Sequence, residues 1–195
     1  MKSLIALLAL FSLSAFALET GRPAPDFTLK GINGEVKLSD LKGKLIVLEW
    51  LNHGCPFVRK HYDSGNMQSL QKKYTDKGIA WFSIVSSAPG EQGHVDKKGA
   101  QKEKTANKSQ ATDILMDPTG AVGKLYGAKA TPHMYIIDKK GVLVYQGAID
   151  DKADTDQNSI AAAKNYVSSA LDAVMNGKKV VAHTTRAYGC SIKYQ

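Results

Sequence analysis

The chain has 195 residues, 43% of them hydrophobic, and its 26 lysines and arginines outnumber 18 aspartates and glutamates for a formal charge of +8. Arg22, Arg59 and Arg186 are its only arginines, so the positive charge is dispersed lysine without an arginine cluster or basic-aromatic interleaving. That pattern excludes a nucleic-acid footprint. Two cysteines are too few for a disulfide-stapled scaffold, and the length suffices for one domain with an apolar core of its own.

Lys2, the apolar stretch Leu4 to Leu13 and the small residues of Ala15-Phe16-Ala17 read as a secretory signal peptide over residues 1–17, cleaved after Ala17. The stretch is shorter than the roughly 20 residues of a membrane span. No later segment qualifies, so no stable membrane anchor is expected and the mature chain belongs in the periplasm or outside the cell. Residues 18–182 then form one domain and 183–195 a tail carrying Cys190. Asn33-Gly34 between Asp26–Lys30 and Glu35–Leu38 predicts a small β-hairpin preceding the main sheet.

Leu45-Ile46-Val47-Leu48-Glu49-Trp50-Leu51 is an almost unbroken apolar run, the pattern of a strand covered on both faces. Asn52-His53-Gly54-Cys55-Pro56 follows, with Gly54 permitting a tight turn and Pro56 suited to the first turn of a helix. Cys55 is therefore placed at a helix N-terminus, where unpaired N–H groups and the macrodipole favour the reactive thiolate. The helix breaks near Ser64-Gly65-Asn66 and resumes to Lys77. Ile79–Val85 is a second buried strand, joined to the first by a parallel crossover.

Ala88 to Asp113 turns polar and reads as a surface insertion with a lysine-rich helix facing solvent. Ile114-Leu115-Met116 is a short strand, Ala121 to Tyr126 a short helix closed by Gly127, and Met134–Ile137 with Val142–Tyr145 an antiparallel hairpin. A long helix runs from about Ser159 to Met175.

Glu49 is the lone charge in its strand. A buried carboxylate costs several kcal/mol unless paired or functional, so it is a candidate general acid/base; the alternative is an exposed sheet edge or a lysine partner. Arg59, one helical turn after Cys55, is a candidate for stabilising a thiolate or a substrate's charge, or else a solvated helix residue. His53 is a candidate proton donor or a loop residue.

The strings Asn52-His53-Gly54-Cys55-Pro56-Phe57-Val58-Arg59-Lys60-His61-Tyr62, Thr131-Pro132-His133-Met134-Tyr135 and Tyr188-Gly189-Cys190-Ser191 resemble those of secreted peroxiredoxin-like redoxins. Ala24-Pro25-Asp26-Phe27-Thr28-Leu29 is similar to the opening of the alkyl hydroperoxide reductase/thiol-specific antioxidant branch of the thioredoxin fold. The resemblance implies an α/β, three-layer thioredoxin-like fold, a central mixed sheet flanked by helices, with the N-terminal hairpin. It implies a thiol-disulfide oxidoreductase without cofactor or metal, attacking through Cys55; a second thiol must release the mixed disulfide, and Cys190 is the one internal candidate. Protein or small-molecule disulfides and thiols are the partners, with an external thiol as reductant. By the same resemblance Pro132 is a cis-proline against the active cysteine, Thr131 offers its backbone to an extended substrate, and Glu49 matches a buried proton-moving acid.

The departures are specific. Val58 occupies the second position of Cys-x-x-Cys, and neither register supplies the proline and threonine offsets of a peroxidatic cysteine. A peroxiredoxin-like peroxidase is the first alternative function. A copper chaperone using Cys55, Cys190, His53 and His133 is the second. Cys190 is expected within bridging distance of Cys55, with Cα atoms about 4.4–6.8 Å apart when oxidised, as a resolving or a structural partner.

Overall fold

The Asn33-Gly34 turn joins β1 (Thr28–Gly31) and β2 (Glu35–Lys37) as an antiparallel hairpin with Leu29 opposite Val36. The computed structural model describes residues 18–195; the signal peptide expected over 1–17 lies outside the described residues. The chain continues through β3 (Ile46–Trp50), α1 (Pro56–Asp63), α2 (Asn66–Thr75), β4 (Ala80–Val85), α3 (Lys97–Ala106), β5 (Asp113–Met116) and α4 (Ala121–Leu125). It ends with β6 (Ala130–Thr131), β7 (His133–Ile137), β8 (Leu143–Gly147), α5 (Tyr166–Met175) and β9 (Cys190–Ser191).

Seven strands form one mixed sheet in the order β2-β1-β5-β4-β3-β7-β8. β3 is parallel to β4 and antiparallel to β7, with Glu49 opposite Ser83 and Met134. The hairpin is an edge of this sheet rather than a separate piece, because β1 pairs with β5. The Asp113 carboxylate also accepts from the Ile32 and Asn33 amides at 3.0 and 3.1 Å.

Alternation along β3 divides the core. Ile46, Leu48 and Trp50 face Phe27, Val122 and Tyr126. Val47 and Leu51 face the layer of α1, α2 and α5 through Val58, Tyr62, Met67, Tyr74 and Leu171. The sheet thus lies between two layers, as the three-layer α/β reading requires. Each fully buried large apolar side chain, Leu48 and Leu51 among them, contributes about 1.5–3 kcal/mol.

Two expectations need correction. The helix forecast from Ser159 is a short 3-10 turn at Gln157–Ala162, and α5 begins only at Tyr166. Ala163 and Asn165 are extended, and the Asn165 side chain accepts from the Ser168 amide at 2.8 Å, so Asn165 starts a new helix instead of continuing one. The 88–113 segment is not a bare surface insertion either. Ala100 and Ala111 enter the core with Val95 packed on it, and Gln92 lies against the loop before Cys55.

Candidate active site

The loop between β3 and α1 is closed by its own polar groups. Asn52 Oδ1 accepts from the Gly54 amide at 2.8 Å, and the Asn52 carbonyl accepts from the Cys55 amide at 3.0 Å. Gly54 does not adopt left-handed backbone. Its missing side chain is needed for close approach instead, since a Cβ would stand 2.9 Å from Gln92 Nε2. Cys55 is extended (φ −82°, ψ 125°) and caps α1, with Pro56 next in the helix.

Cys55 is buried. Its thiol donates to the Thr131 carbonyl at 3.1 Å, and its sulfur accepts from the Cys190 amide at 3.4 Å. The Thr131–Pro132 peptide is cis, as expected. Thr131 pairs with Cys190, and Ala130 with Ser191, as the two short antiparallel strands β6 and β9. The structure therefore brings Cys55, Thr131, Pro132 and Cys190 to one place, with both cysteines as unbridged thiols.

Burial pushes the Cys55 thiol up. Donation from the Cys190 thiol and from the Val58 and Cys190 amides outweighs it, and the net shift is downward. Burial, with the donation to Cys55, pushes Cys190 up to about 11. The pair is polarised, the charge favoured on Cys55 and the proton on Cys190.

Glu49 is fully buried on the α1 side of the sheet. Its Oε2 accepts from Gln71 Nε2 (3.1 Å), Trp81 Nε1 (2.8 Å) and Ser83 Oγ (3.0 Å), and its Oε1 from the Tyr62 hydroxyl (3.0 Å). Burial raises its pKa against the opposing effect of these four donors. Neither the exposed-edge nor the lysine-paired alternative holds. Tyr62, Gln71, Trp81 and Ser83 were not singled out in the sequence; the only signal was that an acid in an apolar strand needs donors from its neighbours.

His53 stacks edge-on against Tyr62 at 4.6 Å, and its Nε2 lies 4.0 Å from Glu103 Oε2. Its ring nitrogens are buried without hydrogen-bond partners, and burial pushes its pKa down to about 4. It is thus a neutral imidazole. Arg59 turns away from Cys55, pairing with Asp63 at 3.2 Å on the exposed side of α1, because the same helical face one turn on is here the solvent side. His133 is buried against Tyr135, whose hydroxyl lies 3.2 Å from its Nδ1. The four copper-ligand candidates are not gathered into one set: among the described residues no cluster of three or more His, Cys, Asp or Glu could hold a metal.

Further polar contacts lie beside α1 and along the tail, where Tyr188, Ile192 and Tyr194 are the anchors the sequence offers. Lys60 is buried and donates to the Lys152 carbonyl at 2.8 Å and to Asp154 Oδ1 at 3.0 Å. The Tyr188 hydroxyl donates to Asp150 Oδ1 and sits 3.2 Å from His61 Nε2. Beyond Cys190, the Tyr194 hydroxyl donates to the Ala128 carbonyl at 2.8 Å, and the Ala88 amide to the Lys193 carbonyl at 2.8 Å. Lys60 and His61 look like solvent residues in sequence, and only the packing of the segment after β8 and of the tail on α1 shows otherwise.

A sheet between helical layers, with a low-pKa cysteine capping α1 against a cis-proline segment, defines a thioredoxin-like oxidoreductase domain. The profile of the AhpC/TSA family matches residues 20–146, and the chain belongs to that family. It is 32% identical over 135 residues to the thioredoxin-like protein YneN of Bacillus subtilis (strain 168), covering 68% of this chain and 74% of YneN. The solved structure of an uncharacterized conserved protein from Geobacillus kaustophilus is similar with a TM-score of 0.76 and 28% identity, over 91% of this chain and 93% of that one. A putative thiol:disulfide interchange protein DsbE from Chlorobium tepidum matches with a TM-score of 0.55 and 30% identity, over 74% and 97% respectively. Among the described residues no helix is long and apolar enough to cross a membrane.

Proposed function

We propose that the protein is an extracytoplasmic thiol-disulfide oxidoreductase in which Cys55 attacks and Cys190 resolves. The observation that carries this reading is the Cys190 amide 3.4 Å from Cys55 Sγ, within a pair whose charge is favoured on Cys55. The Cys55 thiolate attacks one sulfur of a substrate disulfide; that S–S bond breaks, a mixed disulfide forms, and the other substrate sulfur leaves as a thiolate and takes up a proton. Cys190, once deprotonated, attacks Cys55 Sγ, expelling the second substrate thiol and leaving a Cys55–Cys190 disulfide. Two electrons pass to the substrate, and an external dithiol restores the pair.

Glu49, with its raised pKa, is the proposed proton reservoir for these steps, acting through the groups between it and the sulfurs, since it bonds to neither cysteine. The likeness to a putative thiol:disulfide interchange protein supports the reaction class, and the signal-like residues 1–17 support the compartment.

Steady reduction of insulin disulfides by the wild-type chain, with Cys55 oxidised only slowly by hydrogen peroxide, is the expected result. Rapid peroxide turnover without disulfide reduction would replace this reading with the peroxidase one.

A further inference from the structure

The end of the sheet opposite Cys55 carries a face of a different kind. Cys55 lies beyond the last residue of β3, whereas Lys44 precedes its first, Lys77 precedes β4, Lys139 and Lys140 stand in the turn after β7, and Lys178 and Lys179 come after α5. Since β3 is parallel to β4 and antiparallel to β7, these strand connections meet at one pole. The Gly43 amide ties two of them together by donating to the Lys139 carbonyl at 3.0 Å. The six lysines line two adjoining depressions, which share Asp138, Lys140, Val174 and Gly177. All six are exposed, and none is paired with an acid among the described residues.

Asp138 is the one acid lining the depressions, and its Oδ1 accepts from the Lys140 and Val142 amides at 2.8 and 2.9 Å. Asp76, next to Lys77, is held by Lys72 at 2.9 Å. Met175 and Val181 stand out among the lysines, 44% and 96% exposed. Lysine is depleted at protein-protein interfaces, and as a hydrated point charge it lacks the fork that reads a single carboxylate or phosphate. A plane of negative charge over an apolar layer suits both the lysines and the two apolar side chains. We infer that this pole is a docking face for an anionic lipid surface, held reversibly by its lysines while Met175 and Val181 reach the acyl boundary. The docked molecule turns its Cys55 end away from the lipid. The inference is independent of the thiol chemistry.

The test is sedimentation of the protein, recovered after export, with vesicles of phosphatidylcholine alone or of phosphatidylcholine and phosphatidylglycerol in equal parts. Immobilised polyglutamate stands in for an acidic polypeptide. Three double variants are compared with the wild type: Lys139→Gln with Lys140→Gln, Met175→Ser with Val181→Ser, and Lys97→Gln with Lys98→Gln. The last makes the same change of net charge on α3, whose Glu103 lies beside His53 at the Cys55 end. All six positions are exposed, so the fold is expected to survive each change.

The wild type should sediment with the anionic vesicles and not with the neutral ones. It should be released as salt rises from about 0.1 M to about 1 M and the screening length contracts from about 10 Å to about 3 Å. Removing the Lys139 and Lys140 charges should weaken partitioning about 25-fold, at about fivefold for each lysine near the surface. The α3 pair, more than a screening length from the lipid, should change it less than about twofold. The Met175 and Val181 variant should lose about tenfold on anionic vesicles, for two partly buried apolar side chains, and keep its capture by polyglutamate. Equal sedimentation with both kinds of vesicle, equal losses from the two lysine pairs, or capture by polyglutamate without any by vesicles would overturn the inference. A wild type that partitions as expected yet reduces no insulin would overturn the proposed function and leave this inference standing.

Discussion

Replacing Glu49 with glutamine keeps the size of the side chain while removing its proton chemistry. The amide oxygen placed at Oε2 retains the donors of Gln71, Trp81 and Ser83, and the amide nitrogen placed at Oε1 meets the Tyr62 hydroxyl, which turns to accept. The Tyr62 hydroxyl, which also accepts from Gln71 Nε2 at 3.0 Å, then keeps a buried proton without its former acceptor, so the expected destabilisation is about 1–3 kcal/mol. Thiol exchange should slow by roughly ten- to a thousandfold, a barrier increase of about 1.4–4 kcal/mol. Burial raises the Glu49 pKa, so the wild-type rate should show an inflection above the ordinary carboxylate range, and the variant should lack it. Insulin reduction followed from about pH 6 to about pH 9, beside thermal melts of both proteins, reads all three quantities. An unchanged rate throughout that range would refute the reasoning and leave Glu49 structural.

Alkylation of Cys55 by iodoacetamide should follow its thiolate fraction, rising with pH and levelling below the range of an ordinary thiol; in Cys190→Ala, which loses the donating thiol, the inflection should move up. An unmoved inflection would remove Cys190 from the polarised pair. Burial pushes the His133 pKa down to about 4 from 6.5. The unfolded chain therefore binds a proton in that interval that the native chain refuses, and stability is lost as pH falls from 6.5 towards 4, by about 3 kcal/mol from this group. His133→Gln should flatten denaturant-derived stability against pH over that window by about this amount, and an equal slope in both proteins would contradict it.

The β3 run, the Asn33-Gly34 hairpin, the break at Ser64-Gly65 and Pro56 behind Cys55 were legible because each rests on local chemistry: burial on two faces, a turn that tolerates left-handed backbone, a ring that suits a first helical turn. The start of α5 was not. The run Ile160-Ala161-Ala162-Ala163 has high helix propensity, yet the cap at Asn165 and its bridge to Asp150 decide the boundary from a distance. Tertiary return likewise decided Lys60 and His61: the segment carrying Asp150, Lys152 and Asp154 covers Lys60, and Tyr188 of the tail adds to the cover of His61. Glu49 was legible as an anomaly, but its four donors sit on three other elements. The spacing of Arg59 fixed its face of the helix without revealing that this face meets solvent.

The most direct test of the account is to trap the exchange itself. Reduced full-length wild-type and Cys190→Ser chains are each given insulin, quenched with acid and mapped by mass spectrometry without reduction. The account predicts an intramolecular Cys55–Cys190 disulfide in the wild type, and in the variant a persistent mixed disulfide between Cys55 and an insulin cysteine. A wild-type chain with Cys190 still free while Cys55 carries the mixed disulfide, or a variant with Cys55 unmodified, would contradict it.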